Sequence, residues 1–477
     1  MQSTIKLHFS GKLYFPVVLL VMLAGCATNP GIAPHATMLQ PQSLTAETRT
    51  DTSVFPRQHW WKIFGDKKLD ALIAQAIEKN QNLKVVQSRM IGANALIDEA
   101  DSRRYPQIDA KAQSTREHLS LNSIYPPPLG GNFVSMSSAS ISAQWQIDWF
   151  GRQRATLDAA IGQARAAQAD MQAARVILAT SVAQQYFNLA RQQEQQSIRK
   201  QMLHASELHA QLVDQRVAAG LDSKMMQRQA QVTVLQFKRD LTALDEQIAL
   251  SRHAMALLLG AEPGETSQLD ARLPLNINQN ISARLPAELL GHRADVVAAR
   301  WRVESELKNV KAARADFYPN LNLIAFAGFE SINLSNWLSA GSRSYGAGPA
   351  ISLPIFNAGR LRAQLRQRAA QADAAIENYN ETVLNSLREV ADKLASWQTL
   401  QTQLDEQKKV VSQLNGTYDM QNERYRAGLS NYISVLDAEN ALMQQKGTLV
   451  DLQARESDVY AGLMLALGGG YVPPANP

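Results

Sequence analysis

The sequence predicts a mainly α-helical chain that carries a small membrane-type β component, four strands arranged in two structural repeats. Three observations lead there: motifs that recur at a fixed spacing, long proline-free stretches, and short segments of strict period-two alternation. Arg216-Val-Ala-Ala-Gly220-Leu221 recurs as Arg424-Tyr-Arg-Ala-Gly428-Leu429, 208 residues on. Gly151-Arg152 and Gly359-Arg360 keep that spacing, as do Leu259-Gly260 and Leu467-Gly468. Arg104-Tyr105-Pro106 resembles Phe317-Tyr318-Pro319 at an offset of 213. The spacing divides the chain into a first repeat over 57–262, a linker over 263–286, a second repeat over 287–470 and a tail over 471–477.

Proline placement draws the helices. Proline is absent from 57–105, 129–262, 287–318 and 355–472, and since it costs about 3 kcal/mol inside a helix these gaps permit long ones. Residues 152–218 are rich in Ala, Gln, Arg and Leu, with Gly162 the one internal glycine. At 1.5 Å per residue they would run roughly 100 Å. Gly220 fits the helix end, and Asp222 or Ser223 fits the cap of a return helix over 223–259. The second repeat offers a long helix over 360–427, Gly428 at its end, Ser430 or Asn431 as the next cap, and a return helix over 431–467. Each long helix is matched in length by two shorter ones, 69–104 with 223–259 and 287–318 with 431–467. Alanine at most apolar positions suits close, coiled-coil-like packing.

The strands fall between these helices. In 139–149, Ala139, Ile141, Ala143, Trp145, Ile147 and Trp149 alternate with Ser140, Ser142, Gln144, Gln146 and Asp148. Eleven such residues suffice for a tilted membrane strand. Residues 106–116 alternate too, and 319–329 and 345–355 do so less cleanly; 120–138 and 331–344 become hairpin loops. A half-buried soluble sheet would share this pattern. In lipid, however, four strands cannot close a barrel and open edges are not viable, so several copies must combine. Three copies would give about twelve strands, with symmetry closing the ring.

Residues 1–25 contain Lys6, Lys12 and the apolar run Leu13–Leu23, the order of a secretory signal. Cys26, the chain's one cysteine, follows Leu23-Ala24-Gly25, which resembles the bacterial lipobox; a free thiol is the alternative. Acyl chains on Cys26 would anchor the protein, and Ala27 in place of Asp favours the outer membrane. Residues 26–56, polar with four prolines from Ala27 onward, read as an extended lipidated tether.

Composition excludes other classes. Of 477 residues 45% are hydrophobic and 19% charged, enough for a core. One cysteine excludes an internal disulfide framework. The formal charge of +5, or +3 without residues 1–25, gives no argument for nucleic acid. No histidine spacing suits a metal: His204 and His209 are five apart and do not share a helix face. Gly260–Thr266 lacks the lysine of a phosphate loop, there is no Gly-x-Ser-x-Gly, and Asp98-Glu99 has no cleft to serve. Neither an enzyme nor a cofactor is expected.

A secreted lipoprotein with a duplicated unit of helix, two strands, long helix and return helix resembles the TolC-like outer-membrane efflux family, and more narrowly its lipoprotein branch serving resistance-nodulation-division pumps. The matching residues are Trp60–Phe64 followed by Leu69–Ile73, Phe317-Tyr318-Pro319, Leu353–Gly359, and Arg424–Gly428 leading to Val435–Ala438. The likeness covers about 20–470. His292-Arg293-Ala294-Asp295 departs from it, since relatives usually have Arg-Pro-Asp there; a slightly altered helix start is expected.

The resemblance implies a homotrimer, a twelve-stranded outer-membrane β-barrel continued by a long periplasmic α-helical tunnel. It implies outer-membrane lipid around the barrel, a periplasmic adaptor (membrane fusion) protein and an inner-membrane resistance-nodulation-division pump as partners. It makes the turns at Gly220-Leu221 and Gly428-Leu429 adaptor-docking tips, which is compatible with their capping role. By position, Ile433 and Asp437 would line a periplasmic gate, with Tyr425 making a restraining contact; a solvated helix residue is the plainer reading of Asp437. Ser434 stands where some relatives have a second acid, and Met226 where the tyrosine's acidic partner usually lies. A duct for protein secretion and a lipid-anchored coiled-coil spacer are the competing functions.

Overall fold

A computed structural model describes residues 31–39, 56–274, 277, 291–332 and 334–472. The signal segment, Cys26, most of the tether, residues 278–290 and most of the tail lie outside the described residues.

After a 3-10 turn at Trp60–Phe64 the helices and strands follow as α1 (Lys67–Lys79), α2 (Gln81–Ser102), β1 (Gln107–His118), β2 (Phe133–Ile147), α3 (Arg152–Ala218), α4 (Lys224–Leu259), α5 (Ala294–Ala315), β3 (Asn320–Ser331), β4 (Arg343–Ser352), α6 (Arg360–Arg426) and α7 (Tyr432–Ala466). Two compact units are built from them. One takes in residues 1–38, 90–166 and 299–379, the other 39–89, 167–298 and 380–477.

The first unit holds one antiparallel sheet in the order β1-β2-β3-β4. Its register matches the alternation of the sequence. Ile108, Ala110 and Ala112 stand opposite Ala143, Ile141 and Ala139; Ala143, Trp145 and Ile147 stand opposite Ala325, Leu323 and Leu321; and Leu321 and Ala327 stand opposite Ile351 and Tyr345. Since side chains alternate between faces, these pairs make one face apolar across all four strands. Strand β2 starts at Phe133, six residues before the predicted 139, because β1 runs on to His118 and pairs with it there. Beside the sheet, Val310, Leu365 and Ala372 form a buried cluster with Ile32 and Phe317 against it. A segment of the predicted tether is therefore docked: the His35 and Ala36 amides donate to Asp373 Oδ1 at 2.6 and 2.8 Å. Gly162 also gains a reason, since a Cβ there would lie 3.1 Å from that of Ser305, whose hydroxyl donates to the Ala159 carbonyl.

In the second unit the predicted helix 69–104 proves to be two. Asn80 interrupts it with an extended backbone, φ −59° and ψ 127°. Its Nδ2 donates to the Leu258 carbonyl at 2.9 Å, and its Oδ1 accepts from the Leu83 amide at 3.0 Å. The chain approaches so closely there that a Cβ on Gly260 would lie 2.6 Å from the Lys79 carbonyl oxygen. Gly260 thus serves packing and a helix end. Helix pairing follows the small and apolar positions: Ala210, Val213, Ala230 and Val234 join α3 to α4, and Ile198, Met202, Leu442 and Met443 join α3 to α7.

Two polar clamps sit where α1 and α5 begin. Asp66 caps α1 through the Lys68 and Leu69 amides and accepts from the hydroxyl of fully buried Tyr186 at 2.5 Å. Burial, then the hydrogen bond and charge of Asp66, push the Tyr186 hydroxyl well above its usual range. At α5, buried Arg293 grips Asp295 with two bonds, reaches Glu389 at 2.9 Å and donates to the Ala466 carbonyl at 3.0 Å. Burial opposes its charge, but the two carboxylates win and hold it above its usual value. The helix starts at Ala294, in the position where proline is the usual first residue.

Candidate functional site

The four-stranded sheet is open. Strands β1 and β4 are its edges, and each presents a row of unpaired backbone groups. The face bearing Ile108, Ile141, Tyr345 and Ile351 is solvent-exposed in the single chain. An apolar outer face with an open edge on both sides fits hydrocarbon only if other strands complete it. At the strand ends that join the helices, Phe150 stacks on Tyr318 with centroids 4.7 Å apart, the Trp145 indole donates to the Arg104 carbonyl, and Trp149 is exposed. Amphipathic rings gather in this way at a membrane–water interface. No described helix is long and apolar enough to cross a membrane.

Both hairpin tips belong to the second unit and close identically at the backbone. Gly220 has φ 73° and Gly428 φ 75°, a left-handed conformation that a side chain disfavours. The Leu221 and Leu429 amides donate to the Arg216 and Arg424 carbonyls, each at 2.8 Å. The Gly220 and Gly428 amides donate to Val217 and Tyr425. Together these satisfy carbonyls that each helix end leaves over. Ser223 and Asn431 are the caps of the return helices. That leaves Asp222 free to pair with Arg216 at 2.7 Å, a hydrogen bond that holds the carboxyl below its usual range. Leu221 and Leu429 are both exposed.

On α7, Ile433 is half-buried and Asp437 exposed. Four residues apart, they share a face. Among the described residues Asp437 has no ion-pair partner. The ring contact of Tyr425 is with Tyr432 of its own hairpin, centroids 5.1 Å apart.

The sequence profile of the family described as outer membrane efflux protein matches residues 72–261 and 285–469. The chain belongs to this family. Among its relatives, the Escherichia coli (strain K12) multidrug resistance outer membrane protein MdtP is 30% identical over 461 residues, 94% of this chain and 94% of MdtP. The Pseudomonas putida solvent efflux pump outer membrane protein SrpC is 28% identical, over 97% of this chain and 99% of its own length. The crystal structure of the outer membrane protein VceC from Vibrio cholerae superposes with a TM-score of 0.78 at 31% identity, covering 87% of this chain and all of VceC.

Family membership gives the open sheet its meaning. The structures of the family are trimeric channels, a barrel continued by a helical tunnel, and four strands per chain are one protomer's share. The protein is the outer-membrane channel of a tripartite efflux system in a Gram-negative bacterium. A spacer without barrel strands is set aside by the sheet itself. Relatives matched over nearly their whole length favour efflux over protein secretion.

Sequence reasoning missed several polar residues that the fold brings together. The Tyr186–Asp66 and Arg293–Glu389 clamps link positions 120 and 96 residues apart, which no local pattern marks. Asn440 was findable: it lies seven residues beyond Ile433, on the same helix face, and its Oδ1 is buried without a protein partner.

Proposed function

We propose that the chain works as the passive outer duct for small molecules delivered by an inner-membrane resistance-nodulation-division pump through a periplasmic adaptor, and that it has no catalytic role of its own. The observation that carries this is the pair of identically built tips, each presenting an exposed leucine directly after a glycine-closed turn. On this reading Gly220, Leu221, Gly428 and Leu429 form the adaptor-docking surface. Repeats 57–262 and 287–470 are its two halves, and Cys26 carries the lipid anchor behind a cleaved signal over 1–25.

Tyr425, Ile433 and Asp437 are the gate residues in this proposal. Three Asp437 carboxylates facing one axis would attract cations and repel each other across a narrow passage. Among the described residues no hydrogen bond joins Tyr425 to an acid, so the tyrosine pair with Tyr432 is the restraint available in this hairpin. The test is conductance of the reconstituted trimer together with drug resistance in cells. Asp437→Ala should raise conductance and weaken its dependence on divalent cations; unchanged values remove Asp437 from the gate. Gly428→Val should abolish resistance while trimers still form, and intact resistance would count against docking at that tip.

A further inference from the structure

The strand-side end of α6 carries a charge distribution that the helix itself does not want. Residues 331–372 contain Arg343, Arg360, Arg362, Arg366 and Arg368 and no Asp or Glu. The next carboxylate, Asp373, is occupied by the His35 and Ala36 amides. A helix N-terminus carries partial positive charge and is stabilised by acids, so of the four arginines in the opening turns of α6 the first two, Arg360 and Arg362, are unfavourably placed. All four are exposed. Arg360 and Arg368 reach only the neutral amides of Gln364 and Gln371. Arg362 and Arg366 have neither an ion pair nor a hydrogen bond among the described residues. They lie one turn apart on one face, beside the buried stripe of Leu361, Leu365 and Ala369.

The first repeat shows that the fold does not require this. At the matching end of α3, Arg152 pairs with Asp316 at 2.9 Å and Asp158 with Lys308 at 2.8 Å. At the 208-residue offset Asp158 corresponds to Arg366, a reversal of charge. Between β4 and these arginines the chain exposes two large apolar side chains, Ile355 at 76% and Phe356 at 89%. Along the chain the order is therefore a lipid-facing strand, bare apolar side chains, then unpaired guanidinium groups. That is the order of hydrocarbon, interface and phosphate in a bilayer leaflet, and guanidinium is the side chain best matched to phosphate oxygens.

We propose that Arg362 and Arg366, with Ile355 and Phe356, form a binding site for anionic phospholipid in the leaflet next to the strand ends. The phosphate supplies the missing counter-charge, and its acyl chains cover the two apolar residues. The site rests on the membrane placement of β1–β4 and adds a lipid preference to it.

The test uses the full-length trimer in nanodiscs of phosphatidylcholine with a minority of phosphatidylglycerol, and counts the lipids retained after extraction. The wild type should enrich phosphatidylglycerol about five-fold over the bulk mixture. R362Q/R366Q should fall to about no enrichment, R362K/R366K should keep part of it, and R366D, which copies the first repeat, should lose most. Trimer migration and conductance of each variant show that the channel is intact, so a failed lipid result leaves the barrel reading standing. If R362Q/R366Q does not assemble, R366D decides alone. No enrichment by the wild type, or enrichment that survives R362Q/R366Q and R366D, overturns the proposal. So does displacement of the lipid by inorganic phosphate, which would mark a free-anion site. A change confined to the ion selectivity of the pore overturns it too, because the arginines would then face the lumen.

Discussion

The two repeats follow the same chain path yet treat their charges differently. In the first, the charged ends of the long helix have partners: Arg216 with Asp222 at the tip, and Arg152 and Asp158 at the strand end with Asp316 and Lys308 of the second repeat. In the second, Ser430 stands where Asp222 would be. Arg424 and Arg426 lack ion pairs among the described residues, and Arg360–Arg368 face no carboxylate. Within it, buried Arg293 pairs with Asp295 and Glu389. Backbone closure is the same in both, since Gly220 and Gly428 make the same turn. The difference teaches that duplication fixed the scaffold, while side-chain charge was left free to specialise: the charges at the ends of α3 are paired within the chain, and those at the ends of α6 stay available for other molecules.

The buried clamps offer the largest contrast. Asp295→Asn with Glu389→Gln leaves Arg293 buried without a counter-ion and should cost about 3 kcal/mol in helical unfolding followed by circular dichroism. That is the low end for a broken buried pair, because both carboxylates are partly exposed. Tyr186→Phe at the other clamp should cost about 1.5 kcal/mol, the value of one bond to a charged group. Equal losses would erase the distinction between the clamps.

A smaller effect concerns Ala358, which has φ 50° although it is not glycine. Ala358→Gly should stabilise by about 0.5–1 kcal/mol in the same measurement. A destabilised variant would mean that the left-handed conformation is not a cost. The smallest effect is at the first tip. The Asp222 carboxyl is lowered by its bond to Arg216, so the contribution of the pair is present above the ordinary carboxylate value of about 4 and is lost as pH falls through the lowered one. The protection of the amides over 219–226, relative to their intrinsic exchange rate at each pH, should fall in acid in the wild type and lose that pH step in Asp222→Asn. The second tip, with Ser430 in that place, should show no such step in either protein.

The parts of this fold written in the sequence are those that depend on local chemistry. Proline-free runs delimit α3 and α6, Gly220 and Gly428 mark their ends, and the alternation of 139–147 fixes which face of β2 is apolar. What was hidden depends on residues brought from elsewhere. The break at Asn80 carries no proline or glycine and is decided by the Leu258 carbonyl. The early start of β2 is hidden because Ser135, Ser137 and Ser138 blur the alternation until β1 pairs with them. The choice of Ser223 over Asp222 as cap was open because either side chain can accept an amide bond; the reach of Arg216 across the turn decides it. At the proposed gate, Ile433 and Asp437 come from the resemblance to the family by position, but the Tyr425–Tyr432 contact needed the folded hairpin.

The central claim is that both open edges of the β1–β4 sheet are completed by further copies of the same chain. Native mass measurement of the full-length protein extracted from outer membranes tests it most directly. Three chains per particle, with the β1 and β4 amides as slow to exchange as those of β2 and β3, is the predicted result. A stable single-chain particle with rapidly exchanging edge strands would contradict it.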